Sequence, residues 1–149
     1  MLVHLSIKNY ALIRQLELQP SAKLNVVTGE TGAGKSIMLG AIGLLLGDRA
    51  DLKTLWDEKE KCITEGTFDI SSYRLKEIFE EENLDYEDQT VIRREVSPNG
   101  KSRAFINDTP VTLDVMRKIG SRLMDIHSQH ETLELGKQNF QLELIDSFC

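Results

Sequence analysis

The sequence has few of the residues that mark secreted, metal-stabilised or membrane proteins. Two cysteines occur, Cys62 and Cys149, and no CxxC spacing argues for a disulfide framework or a zinc knuckle. The longest apolar stretch, at 37–47, is too short to cross a bilayer, and the alternating N-terminus lacks the apolar segment of a signal peptide. These absences predict a soluble, cytoplasmic protein with no membrane partner.

Basic residues are also scarce relative to acidic ones. The 18 Lys and Arg face 24 Asp and Glu, so the net charge of −6 repels nucleic-acid backbones on average, although a local basic patch remains compatible with it. A length of 149 residues predicts one globular domain. The chain stops inside a periodic segment, which indicates an N-terminal fragment of a longer protein.

Hydrophobic periodicity predicts an α/β fold. The Asn99-Gly100 pair favours a tight reversal, so a β-hairpin is expected at 89–107. Gly47 is a plausible helix stop, and Ser72 and Thr109-Pro110 are plausible helix starts. The predicted strands are 3–7, 12–18, 24–28, 62–70, 90–96 and 103–107, and the predicted helices are 36–46, 73–82, 109–119 and a last one from 137.

A glycine-rich segment between the predicted strand 24–28 and the helix after it matches G-x-x-x-x-G-K-[ST]. Glycines leave room for phosphate oxygens at the backbone amides, and the helix N-terminus adds positive potential. The lysine reaches the β- and γ-phosphates, and the serine hydroxyl is a magnesium ligand. A glycine-rich turn with a chance lysine is the alternative. The motif predicts ATP binding with Mg²⁺ through Gly29, Glu30, Thr31, Gly32, Ala33, Gly34, Lys35 and Ser36.

The segments around this P-loop resemble those of bacterial RecN-type DNA repair proteins, which are SMC-like ATPases. The similar segments are KNYALI at 8–13, GETGAGKSIMLGAIGLLLGDRAD from 29, VIRREVSPNGKSRAFINDTPVTL from 91 and MDIHSQHE from 124. The resemblance implies the N-terminal lobe of an ABC/SMC-type ATPase head, with a mixed β-sheet and flanking helices. It also implies a role in recombinational repair of DNA double-strand breaks.

The resemblance also implies roles for individual residues. Gln129 corresponds to the Q-loop glutamine, which touches magnesium and, with Lys35, takes part in hydrolysis; a solvated loop glutamine is the alternative. Asn9 and Tyr10 lie where the first strand approaches the nucleotide, although a plain strand-end turn is an equal alternative. The resemblance implies several partners: ATP, the protein's own C-terminal lobe, a second head in a homodimer, and DNA ends or single strands in the nucleoid.

Three arginines of the expected hairpin are candidates for a DNA or partner surface, although an ordinary solvated arginine is the preferred interpretation of each: Arg93, Arg94 and Arg103. Arg49 is interpreted as structural. Cys62, in a predicted strand, is expected to be a buried small apolar residue rather than a nucleophile. The HSQHE segment at 127–131 lacks the HExxH or HxxEH order, so a zinc site is not favoured there.

Parts of a complete head are missing from the sequence. No LSGGQ-like signature, no apolar strand ending in Asp-Glu and no switch histidine occur, and Ile126 follows Leu123-Met124-Asp125 where a glutamate is needed. Hydrolysis is therefore expected to need the coiled-coil-separated C-terminal lobe and head dimerisation. The alternatives are another SMC- or RecF-like head, a small P-loop kinase using Arg93 and Arg94 as lid residues, and a non-hydrolysing interaction module.

Overall fold

The described strands form one six-stranded sheet, and buried residues alternate with less buried ones along most of them. The computed structural model describes residues 1–28, 34–50 and 55–126. The strand order is β2-β1-β3-β4-β5-β6, and every neighbouring pair is antiparallel. The elements are β1 (Leu2–Tyr10), β2 (Ile13–Leu18), α1 (Gly34–Leu45), β3 (Cys62–Asp69), α2 (Lys76–Glu81), β4 (Gln89–Val96), β5 (Ser102–Ile106), β6 (Thr109–Val111) and α3 (Leu113–Leu123).

One face of the sheet forms the core. Strand β3 alternates buried and half-buried residues along its whole length, as expected where one face packs and the other meets solvent. Phe68, Ile92 and Ile106 are fully buried with the apolar residues of α1 and α3. Helix α1 comes so close to β3 that a Cβ on Gly66 would lie 2.9 Å from Leu45 Cδ1. The helices therefore cover this face, and most charged side chains of the strands lie on the other, with Arg94 as an exception.

The strand predicted at 24–28 is wrong, because these residues form neither a strand nor a helix in the structure. Leu24 is 84% exposed and Val26 is 73% exposed. An apolar run of this kind forms a stable strand only when neighbouring strands satisfy its backbone and cover both of its faces. None of the six strands listed above pairs with it, so its apolar side chains lie in solvent.

The P-loop helix has the end that the sequence predicts. Gly47 has φ +93°, and the amide of Asp48 donates to the Gly43 carbonyl at 3.0 Å. This left-handed residue with a bond back across the last turn satisfies helix carbonyls that otherwise lack a partner. The stop at Gly47 is confirmed.

The expected hairpin is confirmed, but the helix start after it is wrong. Strands β4 and β5 pair across a loop in which the Ser97 amide donates to the Lys101 carbonyl at 2.8 Å. Asn107 and Asp108 both have positive φ and make a second tight turn, so Thr109 pairs with Ile106 instead of starting a helix. The sheet thus gains β6, at whose outer edge Pro110 lies.

Two helix starts differ from the predictions. Helix α3 begins at Leu113, and the Thr112 hydroxyl caps it by accepting from the Val115 amide at 3.3 Å. Helix α2 begins at Lys76 rather than Tyr73, and no side chain caps it. The expected cap at Ser72 is absent there because a turn intervenes, in which Ser71 donates to Asp69.

Candidate functional site

The N-terminal end of α1 is the described part of the predicted P-loop. Gly34, Lys35 and Ser36 open the helix and are all exposed. A Cβ on Gly34 would meet no atom of the described residues within 4 Å. The first amides of a helix lack intrahelical partners and attract anions, which makes this end suited to phosphate.

Five residues of the motif lie outside the described residues, namely Gly29, Glu30, Thr31, Gly32 and Ala33. The Q-loop candidate Gln129 and the HSQHE segment also lie outside them. Within 1–28, 34–50 and 55–126, no three His, Cys, Asp or Glu side chains come together as a metal site would require.

Tyr10 brings the end of β1 onto the P-loop helix. Its ring is 9% exposed, and its hydroxyl lies 2.7 Å from the position that a Cβ on Gly40 would take. Gly40 is four residues after Ser36, so both lie on the same face of α1 with a rise of about 6 Å between them. Tyr10 therefore packs about one turn from the candidate magnesium ligand, at a place that only a glycine leaves open.

Asn9 makes hydrogen bonds to a distant loop. The side chain is 2% exposed and contacts the backbone of residues 57 and 60 through three hydrogen bonds. Sequence reasoning missed this link between β1 and the loop before β3. The available signal was an asparagine at a strand end, because asparagine adopts positive φ more readily than most residues do.

The hairpin arginines have three different surroundings. Arg93 lies 3.2 Å from an Asp108 carboxylate oxygen, and its guanidinium lies 4.6 Å from the centre of the Phe105 ring. Arg103 is exposed. Arg94 is 2% exposed on the core face, so neither a solvated arginine nor a DNA-facing one describes it. Desolvation by this burial, and to a lesser degree the charge of Arg117, lowers the pKa of Arg94.

Two further predictions concern residues near the core. Cys62 is 1% exposed, and burial raises the pKa of its thiol to about 11, so the prediction of an unreactive buried cysteine is confirmed. Leu123 ends α3, and residues 124–126 lie in neither a helix nor a strand.

A groove of about 400 Å³ lies beside the chain that leads into the P-loop. Most of its lining side chains are apolar, and they come from the first two strands, from the 20–27 segment, from α1 and from the residue that follows α3; among them are Leu18, Val26, Met38, Ile42 and Met124. The two exposed valines of the unpaired 24–28 segment, Val26 and Val27, are therefore part of a larger apolar surface.

The sequence matches known proteins over its whole length. A family model described as an AAA domain matches residues 4–147. The chain is 37% identical over 150 residues to the DNA repair protein RecN of Vibrio cholerae, covering 100% of this chain and 27% of that protein. It is 39% identical over 151 residues to RecN of Bacillus subtilis, covering 100% of this chain and 26% of that protein. The resemblance to RecN-type proteins is confirmed, and the chain spans about a quarter of the length of these relatives.

Solved structures confirm the fold class. A chain from a study of ATP-driven dimerization and DNA-stimulated activation of SMC ATPases has a TM-score of 0.68 and 18% identity, covering 99% of both chains. The recombination mediator protein RecF bound to ATP has a TM-score of 0.64 and 18% identity, covering 99% of this chain and 38% of that chain. The fold is that of an SMC/RecF-type ATPase head. No helix in the described ranges is long and apolar enough to span a membrane.

Proposed function

Because the chain belongs to the AAA domain family, we propose that it is the ATP-binding half of an SMC-like ATPase head that acts in recombinational repair of DNA double-strand breaks. The observation that carries the proposal is the exposed N-terminus of α1, where Gly34, Lys35 and Ser36 complete the glycine-rich motif as the first residues of the helix. The RecN similarity over the entire chain supports the role in DNA repair.

In this proposal the P-loop at 29–36 holds the phosphates. Backbone amides at the start of α1 donate to phosphate oxygens, and Lys35 carries a positive charge to the β- and γ-phosphates. Mg²⁺ fits the exposed Ser36 hydroxyl, since it binds oxygen ligands, and when bound it would neutralise phosphate charge. Gln129 is proposed as a second magnesium contact and as the residue next to the attacking water.

Hydrolysis is proposed to require parts of the protein beyond these residues. The coiled coil and a C-terminal lobe would follow this lobe, which makes the domain 1–149 the first half of a split head. A second head in a homodimer would complete the site across the dimer interface. DNA ends or single strands are the proposed nucleic-acid partner, in the cytoplasm and at the nucleoid.

The apolar groove is the proposed seat of the C-terminal lobe. Val26 and Met38 lie in a groove next to the P-loop entrance, and the unpaired backbone at 24–28 offers sheet-type hydrogen bonds. Strands supplied by the second lobe would cover the valine and satisfy this backbone. A completed head would then have the predicted strand at 24–28 inside its sheet.

We expect Lys35→Ala in the full-length protein to abolish ATP binding in titration calorimetry, because the phosphates lose their main mobile charge. Lys101→Ala is the matched control, since this exposed hairpin lysine lies on a different element and should leave the affinity unchanged. Unchanged ATP binding by Lys35→Ala would contradict the assignment of the P-loop.

A further inference from the structure

Asn9 has a backbone conformation that is uncommon for a residue other than glycine. Its φ is +57°, in the left-handed region, where a residue with a side chain is less stable than in its usual conformations. The residue is nevertheless 2% exposed and lies one position before the end of β1. A buried polar residue in this conformation is retained when its side chain makes contacts that other residues cannot make.

Those contacts use both amide hydrogens and the oxygen of the side chain. Nδ2 donates to the Asp57 carbonyl at 3.0 Å and to the Glu60 carbonyl at 2.9 Å, and Oδ1 accepts from the Asp57 amide at 2.6 Å. A carboxamide has two hydrogens to donate, so the donor capacity of Asn9 is complete. One side chain thus closes residues 57–60 onto the end of β1, about fifty positions away in the sequence.

The next residue makes the second half of the connection. Tyr10 packs its hydroxyl against Gly40 of α1, on the helix face that carries Ser36. The adjacent pair Asn9-Tyr10 therefore links loop 55–60 on one side to the P-loop helix on the other. A single peptide unit separates the two contacts.

The linked loop carries the only tryptophan of the chain. Trp56 directly precedes Asp57, the residue held by both polar ends of the Asn9 amide, and its side chain is 53% exposed. An exposed indole next to a fixed backbone reports small changes in loop position through its fluorescence.

We propose that Asn9 is a positioning residue of the nucleotide site, which holds loop 55–60 and Tyr10 in one arrangement so that ATP binding at α1 and the placement of Trp56 are coupled. This inference rests on the proposed ATP binding. Coupling between two sites is reciprocal. ATP therefore stabilises the arrangement of loop 55–60 that Asn9 holds, and this arrangement strengthens ATP binding by the same factor. Asn9 acts through preorganisation and does not itself need to touch the nucleotide.

Asn9→Gly in the full-length protein is the decisive variant. Glycine adopts the φ of +57° without strain, so the difference from the natural protein reports the lost hydrogen bonds. With the Trp56 signal taken as the difference from a Trp56→Phe variant, we expect acrylamide to quench Trp56 more strongly, the ATP-induced change in its emission to disappear, and the KM for ATP to rise about three- to tenfold. The kcat should stay within about twofold, because bound ATP restores the arrangement.

Ala11→Gly is the matched control, since Ala11 also has positive φ (+49°) in the same turn and makes no side-chain hydrogen bond. It should leave the KM and the Trp56 signal unchanged. Asn9→Ser retains one donor and serves if Asn9→Gly does not fold; it should show the same changes at smaller size.

The inference is overturned if Asn9→Gly lowers the melting temperature but keeps the natural KM and the natural Trp56 response, since Asn9 would then be structural only. It is equally overturned if ATP binds the natural protein without changing Trp56 emission. Absence of ATP binding to the natural protein in calorimetry would instead contradict the proposed function. Failure of the inference about Asn9 and failure of the proposed function therefore give different results.

Discussion

Arg94 and Thr64 are paired across strands β4 and β3 on the covered face of the sheet, and both are almost completely buried. Within the part of the chain that the structure describes, neither Arg94 Nε nor Thr64 Oγ1 has a hydrogen-bond partner. A guanidinium stays charged in proteins, and a buried unpaired polar group costs roughly 1–3 kcal/mol, more when charged. This residue pair is thus the least compensated part of an otherwise apolar core.

Replacing Arg94 by methionine should stabilise the chain. Methionine has a similar length and no charge, so Arg94→Met removes the desolvation cost while it keeps most of the packing. We expect the free energy of unfolding in urea to rise by about 1–3 kcal/mol. Arg103→Met, on the exposed side of β5, should change it by less than about 0.5 kcal/mol. A loss of stability in Arg94→Met would reveal an anionic partner for the guanidinium.

At the scale of the elements, sequence patterns predicted what depends on local chemistry. Helix α1 with its stop at Gly47 and the β4–β5 hairpin are specified by glycine and Asn-Gly signals within a few residues. The turn at Asn107-Asp108 was missed because two adjacent residues with positive φ leave no mark as clear as a glycine. The 24–28 strand was mispredicted because its pairing depends on long-range neighbours rather than on its own residues.

The candidate site was predictable to a similar extent. The P-loop motif can be recognised in the sequence because its eight residues are adjacent. The contact of Tyr10 with Gly40, by contrast, joins positions far apart in the sequence. The link from Asn9 to loop 55–60 is equally distant. Neither pair has a spacing or composition that a sequence pattern would detect, so only the fold reveals them.

The end of α1 is expected to be intolerant of a side chain. Gly47→Ala would adopt φ +93° with strain, and its Cβ would lie 2.5 Å from Arg117 Cγ and 3.2 Å from the Leu113 carbonyl oxygen. We expect the free energy of unfolding to fall by about 1–3 kcal/mol. At Gly34, which has ordinary φ, a Cβ would meet no atom of the described residues within 4 Å, so Gly34→Ala should leave thermal unfolding without nucleotide unchanged. Equal destabilisation by both variants would disprove this account of the helix end.

At the scale of the whole molecule, the sheet has one covered face and an apolar groove beside the P-loop entrance. The groove has a volume of about 400 Å³ and continues into the exposed residues of the 24–28 segment. Scattered apolar residues are normal on protein surfaces, but a continuous apolar surface usually meets another protein element. The proposal of a second lobe on this surface predicts different behaviour of the lobe and of the full-length protein.

Val26→Thr should affect the isolated lobe and the full-length protein differently. In the 149-residue chain Val26 is 73% exposed, so the substitution should shift the melting temperature by less than about 1 °C. In the full-length protein it should lower stability by about 1–2 kcal/mol, because a hydroxyl would then be buried in the lobe contact. Leu12→Thr, exposed at 65% in the β1–β2 turn, should be neutral in both. Identical shifts in both proteins would exclude a lobe contact at Val26.

The proline in β6 decides which way this sheet can grow. Thr109 and Val111 turn their amides toward β5, so the middle residue of the strand faces outward, and there Pro110 has no hydrogen to donate. The β6 side is therefore closed to an additional strand, as prolines commonly make an edge. Strand β2, six residues long, is the opposite edge among the described strands, and none of them pairs with its outward amides. Among the described strands, β2 is thus the edge through which this sheet can be lengthened, and two molecules joined β2 to β2 present their proline-bearing β6 edges outward, so growth of that kind ends at a pair instead of continuing as a fibre.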